Sequence, residues 1–490
     1  MDVISYRGPG AAGGVSSGLG NAWRQQQDAK TRWWFLSGDT LSVLDQNMER
    51  GAEFVHQLTA NVVKGHYRYC NEFIWPLMHD LPQHVTYRAE DRALYRRFNF
   101  IFAQYVSFDR RGNYFIQDYQ LALVPKLATE SRCTLFWHIP FPKEVPIEFV
   151  EPLSEIARGM LSAHVIGFHT NEYVENFMHF VSANLAEYSV DEASGEIRRI
   201  PGRSSPSLIE AAESGLNQPY IIRPFVFPEL VHDAHSTKLV AKPLGIDLKR
   251  WQDTATANDI TAFAQQVPTS VLQKPFVLSV DRADYTKAVV ERLQIIDKFM
   301  EAHPERRGEL SFVQVCGRSR AGLTAFDQYW QSCQSLYQQV NSRWQTDDWQ
   351  PIYWLDKPLS AEHLSAVYSL AAVMLVNPVR DGLNLTAKEF VACQSENAGA
   401  LLLSPHAGSW HEIGAHCLPA DPLNPEQVVS SLNQALSMSP TERQSRNLKT
   451  KSKLERGTLS RWWRYFNRTT NALSHRRTAS PSKQRFVASA

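Results

Sequence analysis

The segment that most restricts the fold runs from Leu370 to Gln394: an apolar LAAVMLV, then NPVRDGLN, then LTAKEFVACQ. Seven apolar residues closed by Asn377-Pro378 predict a strand buried on both faces, and the last ten residues predict a helix. Between them lies a strand-to-helix turn of an open α/β sheet, where ligands gather outside strand ends and the free N–H groups of a new helix attract phosphate. Gly382 permits close backbone approach, so the amides of Leu383, Asn384 and Leu385 can face an anion. Asp381 would meet a polyol at the rim, and Glu389, about two helical turns further, would accept hydrogen bonds from a second diol. A well-packed turn that binds nothing accounts for the same residues equally well, because a short glycine turn is a weak signal.

The same alternation recurs along the chain. DVISY predicts a strand, RGPGAAGGVSSGLG a glycine-rich loop able to lie flat on a ligand, and NAWRQQQ a helix. In EDRALYRRFNFIFAQYV, Leu94, Phe98, Ile101 and Tyr105 fall at helical spacing and predict a scaffold helix. NYFIQDYQL, CTLFWHIPFP and AHVIGFHTNEY predict three strands whose ends carry Asp118, His138 and His169. One such histidine is ordinarily a satisfied core or loop residue; three polar strand ends on one rim favour a cleft. A second run opens with KPFVLSVDRADYTKAVVERLQIIDKFM, a strand ending at Val280 and a helix burying Val289, Leu293, Ile296 and Met300. It continues through LSFVQVCGRSR and QPIYWL to the turn described above, so one architecture is built twice, joined near PLGIDLKRW. In VDRADYTK, Arg282 and Lys287 suit an anion, although a charged turn is more often merely solvated. LSRWWRYFNRTTNAL predicts a docking helix with Leu459, Trp462, Trp463, Phe466 and Leu473 on one face, and SHRRTASPSKQRFVASA a disordered tail.

Composition narrows the function classes. The 490 residues allow two or three domains, and 51 Lys plus Arg against 50 Asp plus Glu give no reason to expect nucleic acid. Six cysteines without a CxxC pair read as buried thiols in a reducing compartment. A basic leader with an apolar core is absent, as is any apolar span of about 18 residues, so the expectation is a soluble cytoplasmic protein without a membrane partner. No Asp-X-Asp follows a strand, and TDDW lies in a polar loop, so no metal is expected.

The motifs AGGVSSGL, FIWPLMHDLP, QDYQLALVPKL, FWHIPFP, IGFHTNEY, PLGID, VDRADYTK and VRDGLNLTAKEFVA follow one another over most of residues 5 to 410. In that order they resemble the retaining glycosyltransferases of the trehalose-phosphate synthase and glucosylglycerol-phosphate synthase type. The resemblance implies an α/β chain of GT-B fold, two Rossmann-like domains facing a cleft. Residues 1–242 would bind the acceptor and 243–455 the nucleotide sugar; 456–475 would form a helix crossing back to the first domain, and 476–490 a disordered basic tail. By motif, Arg282 and Lys287 would grip the donor diphosphate, Asp381 the transferred glucose and Glu389 the ribose. Gly14, Gly382 and the amides of Leu383, Asn384 and Leu385 would line the donor phosphates, and His138 would touch the sugar. Arg7, Trp75, Asp118 and Arg320 match positions that hold a phosphorylated acceptor. Arg282, Lys287, His138 and Asp381 would then carry the chemistry without a cofactor, by front-face attack with the leaving phosphate accepting the hydroxyl proton.

Several positions depart from the trehalose-phosphate synthase pattern. His66 replaces a tyrosine nine residues before the tryptophan of WPLMH, QDYQL puts Gln117 and Gln120 in place of two histidines, KPLSAEHL lacks an arginine, and Ala288 replaces a glycine. FIWPLMHDLPQHVTYRAEDRALYRRFN and SYRGPGAAGGVSS look more like bacterial glucosylglycerol-phosphate synthases, so the resemblance favours ADP-glucose as donor and sn-glycerol 3-phosphate as acceptor. Trehalose-phosphate synthase is the second reading. A catalytically silent regulatory subunit is the third, and the intact Arg282, Lys287, Asp381 and Glu389 argue against it. A homo-oligomer is compatible with each.

Overall fold

The computed structural model describes residues 1–10, 14–24, 31–45, 51–106, 112–128, 131–201, 203, 236–257, 260–395 and 398–476. A 10-stranded sheet holds β1 (Asp2–Arg7), β2 (Arg32–Ser37), β3 (Thr40–Asp45), β4 (Glu53–Gln57), β5 (Asn113–Gln117), β6 (Arg132–Phe136), β7 (Val165–Phe168), β8 (Tyr188–Asp191), β9 (Glu196–Arg199) and β10 (Ser236–Ala241). Its order is β4-β3-β2-β1-β5-β6-β7-β10-β9-β8, parallel from β2 to β10 and antiparallel at both margins. A 6-stranded sheet follows, with β11 (Phe276–Ala283), β12 (Ser311–Arg318), β13 (Ile352–Leu355), β14 (Val373–Val376), β15 (Ala400–Leu403) and β16 (Leu418–Pro419). Its order is β13-β12-β11-β14-β15-β16, parallel throughout.

Helices cover both faces of a parallel sheet, which is why β14 is apolar at every position and all four residues are buried. The expected strand over LAAVMLV is shorter than its apolar run: Leu370 closes the preceding helix Ala361–Leu370 and is 42% exposed. Conversely, β11 passes its predicted end at Val280, because it stays in register with β12 as far as Ala283 opposite Arg318. Arg282 therefore sits on the strand itself. The helix Val289–Ala302 buries Val289, Leu293, Ile296 and Met300, and the helix Ala89–Val106 buries Leu94, Phe98 and Ile101 with Tyr105 half-buried. The segment expected as a glycine-rich loop is helical from Gly14 to Arg24; residues 11–13 and 25–27 lie outside the described residues.

The last helix, Leu459–Arg476, returns to the first sheet. Trp462 packs 5.4 Å from Phe115 and 4.9 Å from Phe136, Phe466 lies 5.4 and 5.3 Å from the same rings, and the Thr134 and Thr470 hydroxyls bond at 2.6 Å. Two buried aromatics at about 200 Å² each supply roughly 10 kcal/mol of transfer free energy, enough to hold a helix that would be marginal alone. Arg476, expected to open the tail, continues this helix, while residues 477–490 and the Leu473 side chain lie outside the described residues. Beneath it runs the connection between the sheets. The Leu244 amide donates to His169 Nδ1 at 3.3 Å from the first half, and its carbonyl accepts from Lys388 Nζ at 3.0 Å from the second. All six cysteines are free and buried. Among the described residues no helix is long and apolar enough to cross a membrane.

Candidate active site

The carboxyl ends of β11 and β14 are neighbours, and the turns after them carry most of the charge. Asp284, fully buried, caps the turn Tyr285–Lys287 by accepting from the Thr286 amide at 3.1 Å and its hydroxyl at 2.9 Å. That turn delivers Lys287 Nζ to within 2.5 Å of Asp381 Oδ2. Burial acts to raise the Asp381 pKa, but Lys287 and the Asn384 amide group outweigh it and the carboxylate is held low. The Leu383 N–H donates to Asp381 Oδ1 at 3.3 Å and Asn384 Nδ2 to Oδ2 at 3.1 Å. Asn384, at φ +72, then caps the helix Leu385–Cys393 by accepting from the Ala387 N–H at 3.1 Å. Of the three amides expected to face an anion, that of Leu383 is thus turned onto Asp381. Those of Asn384 and Leu385 have no partner among the described residues. Gly382 is required for a different reason than expected: a Cβ there would lie 2.1 Å from the His138 carbonyl oxygen, across the cleft.

Arg282 is exposed, and it has no hydrogen bond or ion pair among the described residues. Loss of solvation is the main effect lowering its pKa; Arg320 and Arg7 push the same way, against Asp284. Arg282 therefore feels the charge of guanidinium groups from both halves, set against the Asp284 carboxylate that is ion-paired with Arg320. Glu389 accepts from the Tyr368 hydroxyl at 3.4 Å, and burial raises its pKa to about 7 against the pull of that bond and Arg250. Behind the wall the fully buried Arg292 spans Asn377 Oδ1 at 2.7 Å, Gln314 Oε1 at 3.2 Å, Asp281 Oδ2 at 2.6 Å and the Lys287 carbonyl at 3.2 Å. It locks the ends of β11, β12 and β14 together.

The first half contributes the strand ends predicted to form a rim, and they do meet. Asp118 holds φ +72 and ψ 173, a region hostile to side chains, fixed by its N–H to the Phe136 carbonyl at 2.8 Å and by accepting from the His138 N–H at 3.0 Å. Burial raises its pKa to about 7, and the bonds from the His138 and Tyr119 amides oppose this. His138 is neutral, burial having lowered its pKa to about 3. Its tautomer follows from geometry, because the Leu244 N–H makes His169 Nδ1 an acceptor. His169 Nε2–H then donates to His138 Nδ1 at 3.3 Å, and His138 Nε2–H donates to Gln117 Oε1 at 2.8 Å. Both ring nitrogens are occupied, so a sugar contact by this ring requires exchange with Gln117. Trp75 donates its indole N–H across the cleft to Asp284 Oδ1 at 3.4 Å, and the Arg320 guanidinium lies 4.0 Å above its ring. Arg7 is exposed at the end of β1, and Gly14 opens the helix Gly14–Arg24.

Other contacts draw the halves together: the Tyr173 hydroxyl donates to the Asp381 carbonyl at 3.1 Å, and Arg380 reaches Asp80 at 2.7 Å and Glu172 at 2.9 Å. Sequence reasoning missed Asp284, although it stands between the two cations of VDRADYTK; burial acts to raise its pKa, and the charges of Arg320, Arg282 and Lys287 outweigh this and hold it low. It also missed His79, which donates Nδ1–H to the Trp75 carbonyl at 2.7 Å and leaves Nε2 buried near Lys287 without a partner among the described residues. Spacing alone could not join Asp284 to Trp75 and Arg320, which are distant from it in sequence.

Residues 26–472 match the family model described as Glycosyltransferase family 20. A bifunctional trehalose-6-phosphate synthase/phosphatase of Thermoproteus tenax is 30% identical over 418 residues, 83% of this chain and 51% of that protein. An α,α-trehalose-phosphate synthase [UDP-forming] of Pichia angusta is 26% identical over 422 residues, 84% of this chain and 81% of that protein. Against several curated relatives, including two of Arabidopsis thaliana, the chain spans about half or less of their length (45%, 51% and 39%). A solved UDP-forming α,α-trehalose-phosphate synthase of Burkholderia xenovorans superposes with a TM-score of 0.81 at 25% identity, over 96% of this chain and 99% of that one. The likeness extends through both sheets and the returning helix, so the fold is GT-B. With a family model matched across both halves and a charged cleft between them, the chain belongs to glycosyltransferase family 20.

Proposed function

We propose that the chain is a retaining glucosyltransferase that moves glucose from UDP-glucose to glucose 6-phosphate, forming trehalose 6-phosphate. The observation that carries this reading is the pairing of Lys287 with Asp381 beside Arg282, which has no partner among the described residues, at the adjoining ends of β11 and β14. Arg282 and Lys287 neutralise the departing diphosphate, Asp381 receives sugar hydroxyls, and Glu389 receives the ribose diol. The glucosyl C1–O bond to phosphate breaks while a C1–O bond to the acceptor forms on the same face. The acceptor hydroxyl proton passes to the released phosphate oxygen. His138, neutral with Nε2–H as donor, offers a hydrogen bond to a sugar hydroxyl in exchange for Gln117. Arg7, Trp75, Asp118 and Arg320 surround the acceptor. The names of the related proteins support glucose 6-phosphate and a uridine donor over the ADP-glucose and glycerol 3-phosphate expected from sequence.

One observation favours glucosylglycerol phosphate as the alternative product. His66, in the place of the family's tyrosine, is sealed at 0% exposure, stacked 3.7 Å from Phe98 and bonded to the Gln120 carbonyl at 2.9 Å. It sends no hydroxyl towards the acceptor. A coupled assay crossing ADP-, UDP- and GDP-glucose with the two phosphorylated acceptors decides between them. The first reading expects UDP-glucose with glucose 6-phosphate to turn over fastest; a preference for glycerol 3-phosphate would install the second.

A further inference from the structure

Resting on the reading of Arg320 as a ligand of the acceptor phosphate, we propose that Asn71 is the residue that positions this arginine and thereby sets the preference for a phosphorylated acceptor. Asn71 lies in the π-helical segment Tyr69–Ile74 of the first domain, buried at 5% exposure. A widened helical turn of this kind is uncommon and often marks a functional site. Its Nδ2 donates to the Tyr67 carbonyl at 2.7 Å, which fixes the amide so that Oδ1 faces across the cleft. There it accepts from Arg320 Nε at 2.5 Å. Arg320 belongs to the other domain, in a loop after β12, and holds φ +44, so its backbone is itself constrained.

The guanidinium is clamped on its remaining sides. Nη1 donates to Asp284, while Trp75 and Phe326 lie 4.0 and 4.8 Å from the guanidinium carbon. With Nε given to Asn71 and Nη1 to Asp284, Nη2 is the nitrogen left to turn towards a ligand. Asp284 comes from the same domain as Arg320, whereas Asn71 and Trp75 come from the other. Asn71 therefore presents the arginine only when the domains are closed, and it couples closure to recognition of an anionic acceptor. A guanidinium not so oriented would spend its entropy on each phosphate contact.

The test compares kinetics of the full chain, wild type and Asn71→Ala, with glucose 6-phosphate, glycerol 3-phosphate, glucose and glycerol at saturating donor. The positioning role expects the acceptor KM for the phosphorylated substrate to rise about tenfold, with kcat and donor KM within about threefold of wild type. A double-mutant cycle guards against simple misfolding: in an Arg320→Lys background, Asn71→Ala should add no further rise in acceptor KM. Additive effects in the cycle, or an unchanged phosphorylated-over-neutral ratio in Asn71→Ala, would overturn the assignment while leaving the proposed reaction standing. A wild-type enzyme indifferent to the phosphate would overturn both.

Discussion

The two walls of the cleft are built differently. The second-domain wall is local: Asp284, Lys287, Asp381 and Asn384 come from two strand-to-helix turns on adjacent strands, with Arg282 at the end of β11 and Glu389 in the helix after β14, and most of the turn residues' bonds stay within those turns. The first-domain wall is assembled from distant pieces, with Asp118, His138 and His169 on three strands, Asn71 and Trp75 on a helix, and Leu244 in the connection. A local wall keeps its chemistry when the surroundings vary, because strand pairing alone fixes it. An assembled wall can be retuned one residue at a time, and every departure of this chain bearing on the acceptor, at His66, Gln117 and Gln120, lies in it. Under the proposed function donor chemistry and acceptor choice would then be separable, apart from Arg320, which follows β12 of the second half.

The sharpest probe of that separation is Arg282→Ala. Removing an unpaired cation from beside Arg320 and Arg7 should leave the melting temperature unchanged or slightly raised, while turnover falls by about a hundredfold to a thousandfold. Steady-state kinetics beside thermal unfolding reads both, and a parallel loss of stability would mean that the residue is structural. Asp381→Asn probes the same wall from the opposite side. It leaves Lys287 without its carboxylate in a site where the two side chains are 11% and 13% exposed, and should cost about 3 kcal/mol by denaturant unfolding. A loss under about 1 kcal/mol would show that the pair is not a structural element.

The pH response distinguishes the walls more finely. Burial raises the Glu389 pKa to about 7, and in the proposed role as acceptor of the ribose diol it binds ionised, so donor KM should fall as pH rises from 6 to 8, by about fivefold, and Glu389→Gln should flatten the profile. Burial likewise raises the Asp118 pKa to about 7, and with Asp118 proposed on the acceptor side, Asp118→Asn should alter the acceptor profile and spare the donor one. For stability the sign is the reverse of an ordinary carboxylate. With the folded pKa raised, the contribution of Glu389 is fully present below its unfolded value and is lost as pH climbs through 7.

The smallest effect is expected at Ala288, held at φ +53 and fully buried where the resemblance leads one to expect glycine. Relief of left-handed strain, about 1–2 kcal/mol, is opposed by glycine's chain entropy and by loss of a packed methyl, about 0.8 kcal/mol. Ala288→Gly should thus lie within about 1 kcal/mol of wild type by thermal unfolding. A larger loss would mean that the methyl, not the backbone, fixes the Lys287 turn.

Legibility from sequence follows the same division. Strand runs and strand-end charges on β11 and β14 could be read directly, since period and punctuation are local properties. Even there the ends were misplaced where pairing overrode them: Ala283 is held to Arg318, and Leu370 was drawn into a helix. The glycine-rich loop was misjudged because Gly14 to Arg24 is stabilised as a helix by its contact with the returning Leu459–Arg476 helix, which no local signal reveals. Asp118, His138 and His169 were recognised as strand-end groups, but their linkage through Leu244 and Gln117 was not. Asn71 and His79 gave no signal at all, their roles arising from contacts such as that of Asn71 with Arg320 and that of His79 with the Trp75 carbonyl.

A crystal structure of the wild-type chain with bound UDP-glucose tests the central claim most directly. The account expects the diphosphate against Arg282 and Lys287, with the Asn384 and Leu385 amides turned to its oxygens and Lys287 released from Asp381. A diphosphate lying elsewhere, with the Lys287 and Asp381 pair intact, would contradict it.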